Sequence, residues 1–234
     1  MFSFLIAIAG GSGSGKSTLA DALVESIGPD RAVRLREDNY YWPLSHYGDP
    51  ANEAERNALT RRINFDAPES KDTDAMAADI ARLKAGEAIE QPVYDYDRHD
   101  RVAGAVHRVE PKDVLILEGI HVLSIPALEP LIDLSVYVET QDDLRLARRI
   151  RRDVVERGRD VEGVLQQYLA TVRPAHYRHT FPAKFSAGLV IADEGLPAYG
   201  RVRPSEEAIA RMMAPVLERL RTTGMLREPR HVLG

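Results

Sequence analysis

The chain has 234 residues, enough for one sizeable hydrophobic core or for a core with a small lid. Apolar residues make up 44% and charged residues 29%, as in an ordinary globular protein, and the net charge of −5 gives no support for nucleic-acid binding. The absence of cysteine excludes disulfides and thiolate metal sites. Because the N-terminal apolar run is too short to span a bilayer, we expect a cytoplasmic protein with no membrane partner.

A glycine-rich motif lies between an apolar run at residues 4–9 and a helical pattern at residues 19–27. The run is short and bounded by glycine, as is typical of a buried parallel strand. The helical pattern places its apolar residues on one face and is expected to end at Gly28. The motif matches G-x-x-x-x-G-K-[ST], a phosphate-binding P-loop. Its members are Gly10, Gly11, Ser12, Gly13, Ser14, Gly15, Lys16, Ser17 and Thr18.

The chemistry of this motif suits a nucleoside triphosphate. The glycines let consecutive backbone N–H groups face phosphate oxygens, and the helix N-terminus adds partial positive charge. We expect Lys16 to reach the β- and γ-phosphates and the Ser17 hydroxyl to ligate Mg²⁺. A chance match in a glycine-rich turn is the alternative, and the strand before and the helix after the motif argue against it.

A second short strand, at residues 32–35, is predicted to end just before Asp38. Ligands in open α/β sheets bind outside the carboxyl ends of the strands, so Asp38 is placed to meet a substrate hydroxyl. A turn-forming or helix-capping role fits this aspartate equally well. Residues 43–62 show little apolar periodicity and predict a loop, whereas residues 73–83 predict a helix with Thr73 as its N-cap.

Residues 92–101 alternate aromatic and charged side chains. As a strand or hairpin arm, this segment would place Tyr94 and Tyr96 on one face. An exposed, solvated edge ribbon is the alternative, and a lone histidine such as His99 is usually a surface residue.

A continuous apolar run at residues 114–117 predicts a central strand that ends at Glu118 and Gly119. A carboxylate at the tip of a strand beside a P-loop is where such folds hold Mg²⁺, usually through a water. A helix-capping role for Glu118 is the alternative. It is less favoured because Gly119 leaves room for a close ligand.

A further strand at residues 134–138 precedes a helix that Thr140 is expected to open in a capping-box-like start. Seven arginines follow, of which Arg145, Arg149 and Arg152 share one helical face. Such a cluster usually marks a solvated face. In an acidic chain with a P-loop elsewhere, it favours a lid that closes on phosphate.

The remaining segments predict core elements. An apolar stripe at residues 161–172 indicates a helix stopped by Pro174, and residues 189–191 predict the last strand of the sheet. Residues 205–220 predict an amphipathic helix that packs on the core. Residues beyond 222 predict a loose tail.

With these motifs in order, the chain resembles the uridine kinase (uridine–cytidine kinase) family of P-loop kinases from about residue 6 to residue 191. The motifs are GGSGSGKST, D-x-x-Y at residues 38–41, NFD at 64–66, PVYDYDRHDR, ILEGI, and ERGRD with QY at 167–168. The resemblance implies a three-layer α/β P-loop NTPase fold with a parallel sheet flanked by helices. It implies one kinase domain over residues 1–222, a lid around 145–160, a nucleoside-binding β-hairpin around 92–110 and a tail at 223–234.

The resemblance also implies a reaction, the ATP-dependent phosphorylation of the 5′-hydroxyl of uridine or cytidine with Mg²⁺. Asp38 would take the proton from this hydroxyl, Lys16 would hold the donor phosphates, and Ser17 and Glu118 would handle Mg²⁺. The remaining catalytic residues implied are Arg152 and Arg157, which would close on the phosphates.

The nucleoside itself would be held by three groups of residues. Asp66, Arg149 and Gln167 would bind the ribose hydroxyls. Tyr94, His99 and Arg159 would recognise the pyrimidine edge. Tyr41, Phe65 and Tyr96 would pack around base and sugar. The resemblance also implies that the protein forms a homo-oligomer, and specifically a tetramer. No stretch of the sequence identifies an interface.

The chain departs from the family pattern in three places. Ala67 and Lys71 stand where a histidine and a second phenylalanine are usual after NFD, and the excursion at residues 42–63 is longer than usual. Both bear on acceptor preference. Residues 192–197 replace the usual Ile-Pro-Arg-Gly and bear on the adenine contacts. The alternatives are a sibling kinase for phosphoribulose, pantothenate or nicotinamide riboside, and a nucleotide-binding switch without an acceptor.

Overall fold

A five-stranded parallel sheet, in the order β2-β5-β1-β6-β7, organises the computed structural model, which describes residues 3–96, 98–193 and 205–226. Strands β3 and β4 form a separate antiparallel hairpin. The strands are β1 (Phe4–Ala9), β2 (Ala32–Arg36), β3 (Ile89–Asp95), β4 (Asp100–Val109), β5 (Val114–Gly119), β6 (Leu134–Glu139) and β7 (Leu189–Ala192). The predicted parallel α/β sheet is confirmed.

Seven α-helices are described, together with short 3₁₀ and π-helical turns. They are α1 (Lys16–Ile27), α2 (Glu53–Thr60), α3 (Thr73–Lys84), α4 (Asp142–Val155), α5 (Val161–Gln167), α6 (Arg173–Ala175) and α7 (Glu206–Thr222). In the described ranges, no helix combines the length and apolar character that crossing a bilayer would need.

Helices cover both faces of the sheet, which explains why its central strands are continuous apolar runs. Helices α1 and α7 pack on one face through residues such as Leu23 and Val216. Helix α3 and the base of the hairpin pack on the other face, where Met76, Ile80 and Ile89 are fully buried. Two apolar layers therefore hold the sheet and leave the carboxyl ends of its strands free to carry polar groups.

The parallel register brings the chemically active segments to one edge of the sheet. Ile8 lies opposite Glu118, and Arg36 lies opposite Glu118 on the other side of β5. The P-loop follows β1, the 3₁₀ turn Glu37–Tyr40 follows β2, and Thr140 follows β6. Four segments that are far apart in sequence thus meet at the same edge.

The prediction of a loop over residues 43–62 is wrong, because this segment contains α2. The helix is capped by Asn52, whose side-chain oxygen accepts a hydrogen bond from the Glu55 N–H at 3.0 Å. None of the residues of α2 is buried. An exposed helix needs no apolar stripe, so this segment lacks the apolar periodicity that would predict a helix.

Two predicted caps are also wrong. Asp72, not Thr73, caps α3 by accepting a hydrogen bond from the Ala75 N–H. Helix α4 begins after Gln141 without a side-chain cap, and Thr140 Oγ1 instead donates to the carbonyl of Ser14 at 2.9 Å. Thr140 therefore ties the end of β6 to the P-loop.

Pro174 does not stop the helical segment that follows α5. The backbone continues through π-helical turns at Tyr168–Val172 and His176–Thr180, with Pro174 in the first turn of α6 between them. A proline is tolerated where its missing N–H falls at the start of a turn, and wider turns relieve the clash with the preceding carbonyl.

The predicted loose tail is partly wrong. Met225 and Leu226 pack against the core on the α1–α7 face, and the Met225 carbonyl accepts a hydrogen bond from Arg31 Nη2 at 2.8 Å. The remainder of the tail lies outside the described residues, as do residues 194–197 of the segment expected to contact adenine.

Candidate active site

The P-loop is shaped by glycines at positions that a side chain would disturb. Gly13 and Gly15 have φ angles of 81° and 88°, in the left-handed region that favours glycine. A Cβ at Gly11 would collide with the guanidinium of Arg145, and one at Gly13 would lie 2.5 Å from the Arg145 carbonyl oxygen. The glycines thus let α4 pack directly against the loop, which precedes the N-terminus of α1.

A hydroxyl and a carboxylate meet beside this loop. Ser17 Oγ donates to Glu118 Oε2 at 3.0 Å, and Glu118 is buried at the end of β5. Burial raises the pKa of Glu118 to about 7, against the opposing effect of the Lys16 ammonium. These hard oxygen donors fit Mg²⁺, which uses few protein ligands when it accompanies phosphates.

Lys16 lies among the acidic groups of this edge. Burial lowers the pKa of its ammonium, whereas the carboxylates of Glu118 and Asp38 act in the opposite direction. Asp38 and Lys16 therefore lie within electrostatic range of each other.

The expectation that Gly119 leaves room for a ligand is wrong, because the side chain of Glu37 already fills that space. Both Glu37 carboxylate oxygens accept from the His121 N–H, at 3.2 and 3.1 Å. Glu37 Oε1 also lies 3.3 Å from Lys71 Nζ, and neither side chain is exposed. This buried pair anchors the turn that carries the next residue, Asp38.

Five aromatic rings line the region beyond Asp38. Ring centroids are 5.7 Å apart between Tyr41 and Phe65, 5.0 Å between Tyr41 and Tyr94, and 5.5 Å between Tyr94 and Tyr96. His99 stacks on Phe65 at 5.0 Å. Because Tyr94 and Tyr96 make ring contact, the hairpin orients them together, as the sequence predicts.

Two hydroxyls in this aromatic group differ in their partners. Tyr96 Oη donates to Asp38 Oδ2 at 3.4 Å. Tyr94 Oη is buried and makes no hydrogen bond to any residue that the structure describes. Buried hydroxyls normally have a partner, so Tyr94 Oη is suited to bind a polar ligand.

A hydrogen-bonded chain connects Asp66 with the P-loop. Thr171 Oγ1 donates to Asp66 Oδ2 at 2.7 Å and to the Gln167 carbonyl at 3.1 Å. Arg149 donates to Gln167 Oε1 and to Ser12 Oγ, both at 3.0 Å. The sequence prediction included Asp66, Arg149 and Gln167 but missed Thr171, which lies one helical turn after Gln167.

The arginines of α4 and of the turn after it divide between two environments. Arg145 is buried behind the P-loop and pairs with Asp142. Arg152 pairs with Asp153 at 2.9 Å, and the Arg157 guanidinium lies 4.9 Å from the centre of the Tyr96 ring. Arg157 therefore lies next to Tyr96, whose hydroxyl contacts Asp38.

A P-loop at the N-terminus of a helix, a carboxylate at the tip of the neighbouring strand and a polar, aromatic region opposite define a P-loop kinase. The model of the Phosphoribulokinase / Uridine kinase family matches residues 5–195, and the chain belongs to this family.

Relatives support this membership over most of the chain. A protein named uridine kinase from Alkaliphilus metalliredigens is 41% identical over 81% of this chain and 87% of its own length. Another of the same name, from Halobacterium salinarum, is 44% identical over 82% of this chain and 80% of its own length. The fold is similar to that of phosphoribulokinase from Rhodobacter spheroides, with a TM-score of 0.59, 14% identity and coverage of 87% of this chain and 75% of that one.

Proposed function

We propose that the protein is a uridine kinase, which transfers a phosphoryl group from ATP to the 5′-hydroxyl of uridine or cytidine and forms UMP or CMP. The observation that carries this proposal is the identity of about 40%, across four fifths of the chain, to proteins named uridine kinase. The arrangement of Lys16, Asp38 and the aromatic residues at one sheet edge supports it.

On the donor side, the P-loop backbone and Lys16 bind the triphosphate of ATP, and Ser17 with Glu118 holds Mg²⁺. When bound, Mg²⁺ neutralises charge on the donor phosphates. Arg152 and Arg157 stabilise the charge that develops on the transferred group. Two observations support this role: the Arg157 guanidinium lies over the ring of Tyr96, whose hydroxyl contacts Asp38, and Arg152 acts electrostatically on Lys16.

On the acceptor side, Asp38 orients the 5′-hydroxyl and takes its proton. Asp66, Arg149 and Gln167 bind the ribose hydroxyls, and the hydrogen bonds that connect these three residues support one shared task. Tyr94, His99 and Arg159 contact the base. The Tyr94 hydroxyl, which has no hydrogen-bond partner among the described residues, supports this assignment, because a ligand lacking the matching group would leave it unpaired.

An acceptor panel tests the proposal directly. Purified protein, ATP and Mg²⁺ are incubated with uridine, cytidine, phosphoribulose, pantothenate or nicotinamide riboside, and ADP release is followed. We expect the highest kcat/KM with uridine or cytidine. Faster turnover of another acceptor would make the protein a sibling kinase, and equal ADP release with and without acceptors would indicate a nucleotide-binding switch.

The homo-oligomer, the cytoplasmic setting and the division into domain, lid and tail stay predictions.

Glu118→Gln is expected to weaken the response to Mg²⁺ by about 10- to 100-fold, the range for a group that supports a metal through other ligands. The amide keeps the size and the hydrogen bond to Ser17 but removes the negative charge. The measurement is a titration of kinase activity with Mg²⁺ at fixed ATP. Glu25→Gln, an exposed carboxylate of α1, is the control. Superimposable titrations for Glu118→Gln and the wild type would show that Glu118 does not support Mg²⁺ binding.

A further inference from the structure

We propose that Asp153 is a positioning residue, which gathers four arginines into the arrangement that phosphoryl transfer requires. This inference rests on the proposed kinase function and adds a residue to it. Asp153 lies in α4 and its side chain is completely buried. The guanidiniums that converge on it are those of Arg149, Arg152, Arg157 and Arg159.

The distances show one close contact and three looser ones. Arg152 Nε and Nη2 both lie 2.9 Å from Asp153 Oδ1. Arg149 Nε and Arg159 Nη1 lie 3.6 and 3.7 Å from Oδ2, and Arg157 Nη1 lies 3.6 Å from Oδ1. Oδ2 makes no hydrogen bond to a described residue. Asp153 therefore attracts three guanidiniums electrostatically without fixing them by hydrogen bonds.

The charge balance of this cluster favours an anionic ligand. Four guanidiniums against one carboxylate leave three net positive charges in the cluster. Without the carboxylate, the four cations would repel one another, and of their attraction to Asp66 only that of Arg149 is seen. A single buried carboxylate thus brings the arginines together and still leaves positive charge for phosphate.

The backbone of Asp153 supports the same arrangement. Its carbonyl accepts a hydrogen bond from the Arg159 N–H at 3.0 Å, across a turn in which Gly158 has a φ of 61°. This turn reverses the chain after α4 and returns Arg157 and Arg159 to the buried carboxylate. Both the side chain and the main chain of Asp153 therefore define where these two guanidiniums lie.

The cluster touches both sides of the proposed reaction. Arg149 contacts Ser12 of the P-loop, and Arg157 lies over the ring of Tyr96, whose hydroxyl contacts Asp38. A displacement of the arginines therefore alters donor and acceptor geometry together. Phosphoryl transfer depends on such alignment, and a misplacement of about 1 Å can cost about 10²-fold in rate.

The test is Asp153→Asn, which keeps the shape and removes the charge. With uridine, ATP and Mg²⁺, we expect kcat to fall by about 10²-fold. The Kd for MgATP, measured by calorimetry, is expected to stay within about three-fold of the wild-type value or to tighten, because the cluster becomes more positive. A loss of fold would instead weaken binding and turnover together, so this split separates positioning from a structural role.

Two further variants complete the experiment. Asp143→Asn removes an exposed carboxylate from the same helix and should retain wild-type kcat. If Asp153→Asn does not fold, Asp153→Glu keeps the charge but moves the carboxylate by one methylene, and it should show the same loss of kcat with MgATP binding preserved.

Two results overturn the inference. One is wild-type kcat in whichever of the two Asp153 variants folds, and the other is an equal loss of kcat and of MgATP affinity. Failure of the proposed function would look different, because wild type and Asp143→Asn would then also fail to phosphorylate uridine.

Discussion

Asp38→Asn is expected to lower kcat for uridine by about 10²- to 10⁴-fold, the usual contribution of a general base. The carboxylate lies in the turn after β2, within electrostatic reach of Lys16 and in contact with the Tyr96 hydroxyl. Asparagine keeps the size and can still accept a hydrogen bond from Tyr96. It cannot take up a proton, so the substitution isolates the chemical step from the shape of the site.

The measurement combines steady-state kinetics with binding of each ligand by calorimetry. We expect the Kd values for uridine and MgATP to change little, because the loss concerns the transition state. Asp49→Asn, an exposed carboxylate in the excursion before α2, is the matched control and should leave kcat unchanged. Near-normal turnover by Asp38→Asn with both ligands bound would show that Asp38 is not the base.

The architecture was predictable because its signals are local and strong. Short continuous apolar runs predicted the central strands, and a strand–glycine–helix sequence placed the P-loop correctly between β1 and α1. Where packing does not impose a pattern, prediction failed. Helix α2 is exposed and carries no apolar stripe, and the turns around Pro174 depend on π-helical geometry that proline alone does not indicate.

The candidate site shows the same division between local and tertiary information. Motifs predicted that Asp38, Glu118 and the P-loop would meet, since the carboxyl ends of parallel strands share an edge. The contacts that hold these residues link segments far apart in sequence. Thr171 reaches Asp66, and Glu37 occupies the space over Gly119. Such pairings arise only when the chain is folded, and no spacing in the sequence reveals them.

Lys71→Met is expected to lower the free energy of unfolding by about 3 to 5 kcal/mol, the cost of leaving a buried charge without its partner. Lys71 and Glu37 are both fully buried and their charged atoms lie 3.3 Å apart. Methionine can still pack on the Tyr41 ring, where the Lys71 ammonium lies 4.7 Å from the centroid. The loss therefore reports the uncompensated carboxylate of Glu37 and not a cavity.

The pH dependence of this variant identifies the cause. Burial raises the pKa of Glu37, and Lys71 opposes that rise, so removing Lys71 raises the pKa further. A carboxyl whose pKa is raised on folding favours the folded state while it is protonated, and this advantage disappears as pH rises through its folded pKa. In denaturant titrations, the loss of unfolding free energy in Lys71→Met should thus become smaller as pH falls through the raised pKa of Glu37.

Two controls separate charge from packing. Glu37→Gln combined with Lys71→Met should recover most of the lost stability, because the neutral pair leaves no buried charge. Arg221→Met breaks an exposed pair with Glu218 and should cost no more than about 1 kcal/mol. The loss of unfolding free energy in Lys71→Met could prove equal to that in Arg221→Met, or it could fail to change with pH. Either result would mean that the buried pair does not hold the Asp38 turn by its charge.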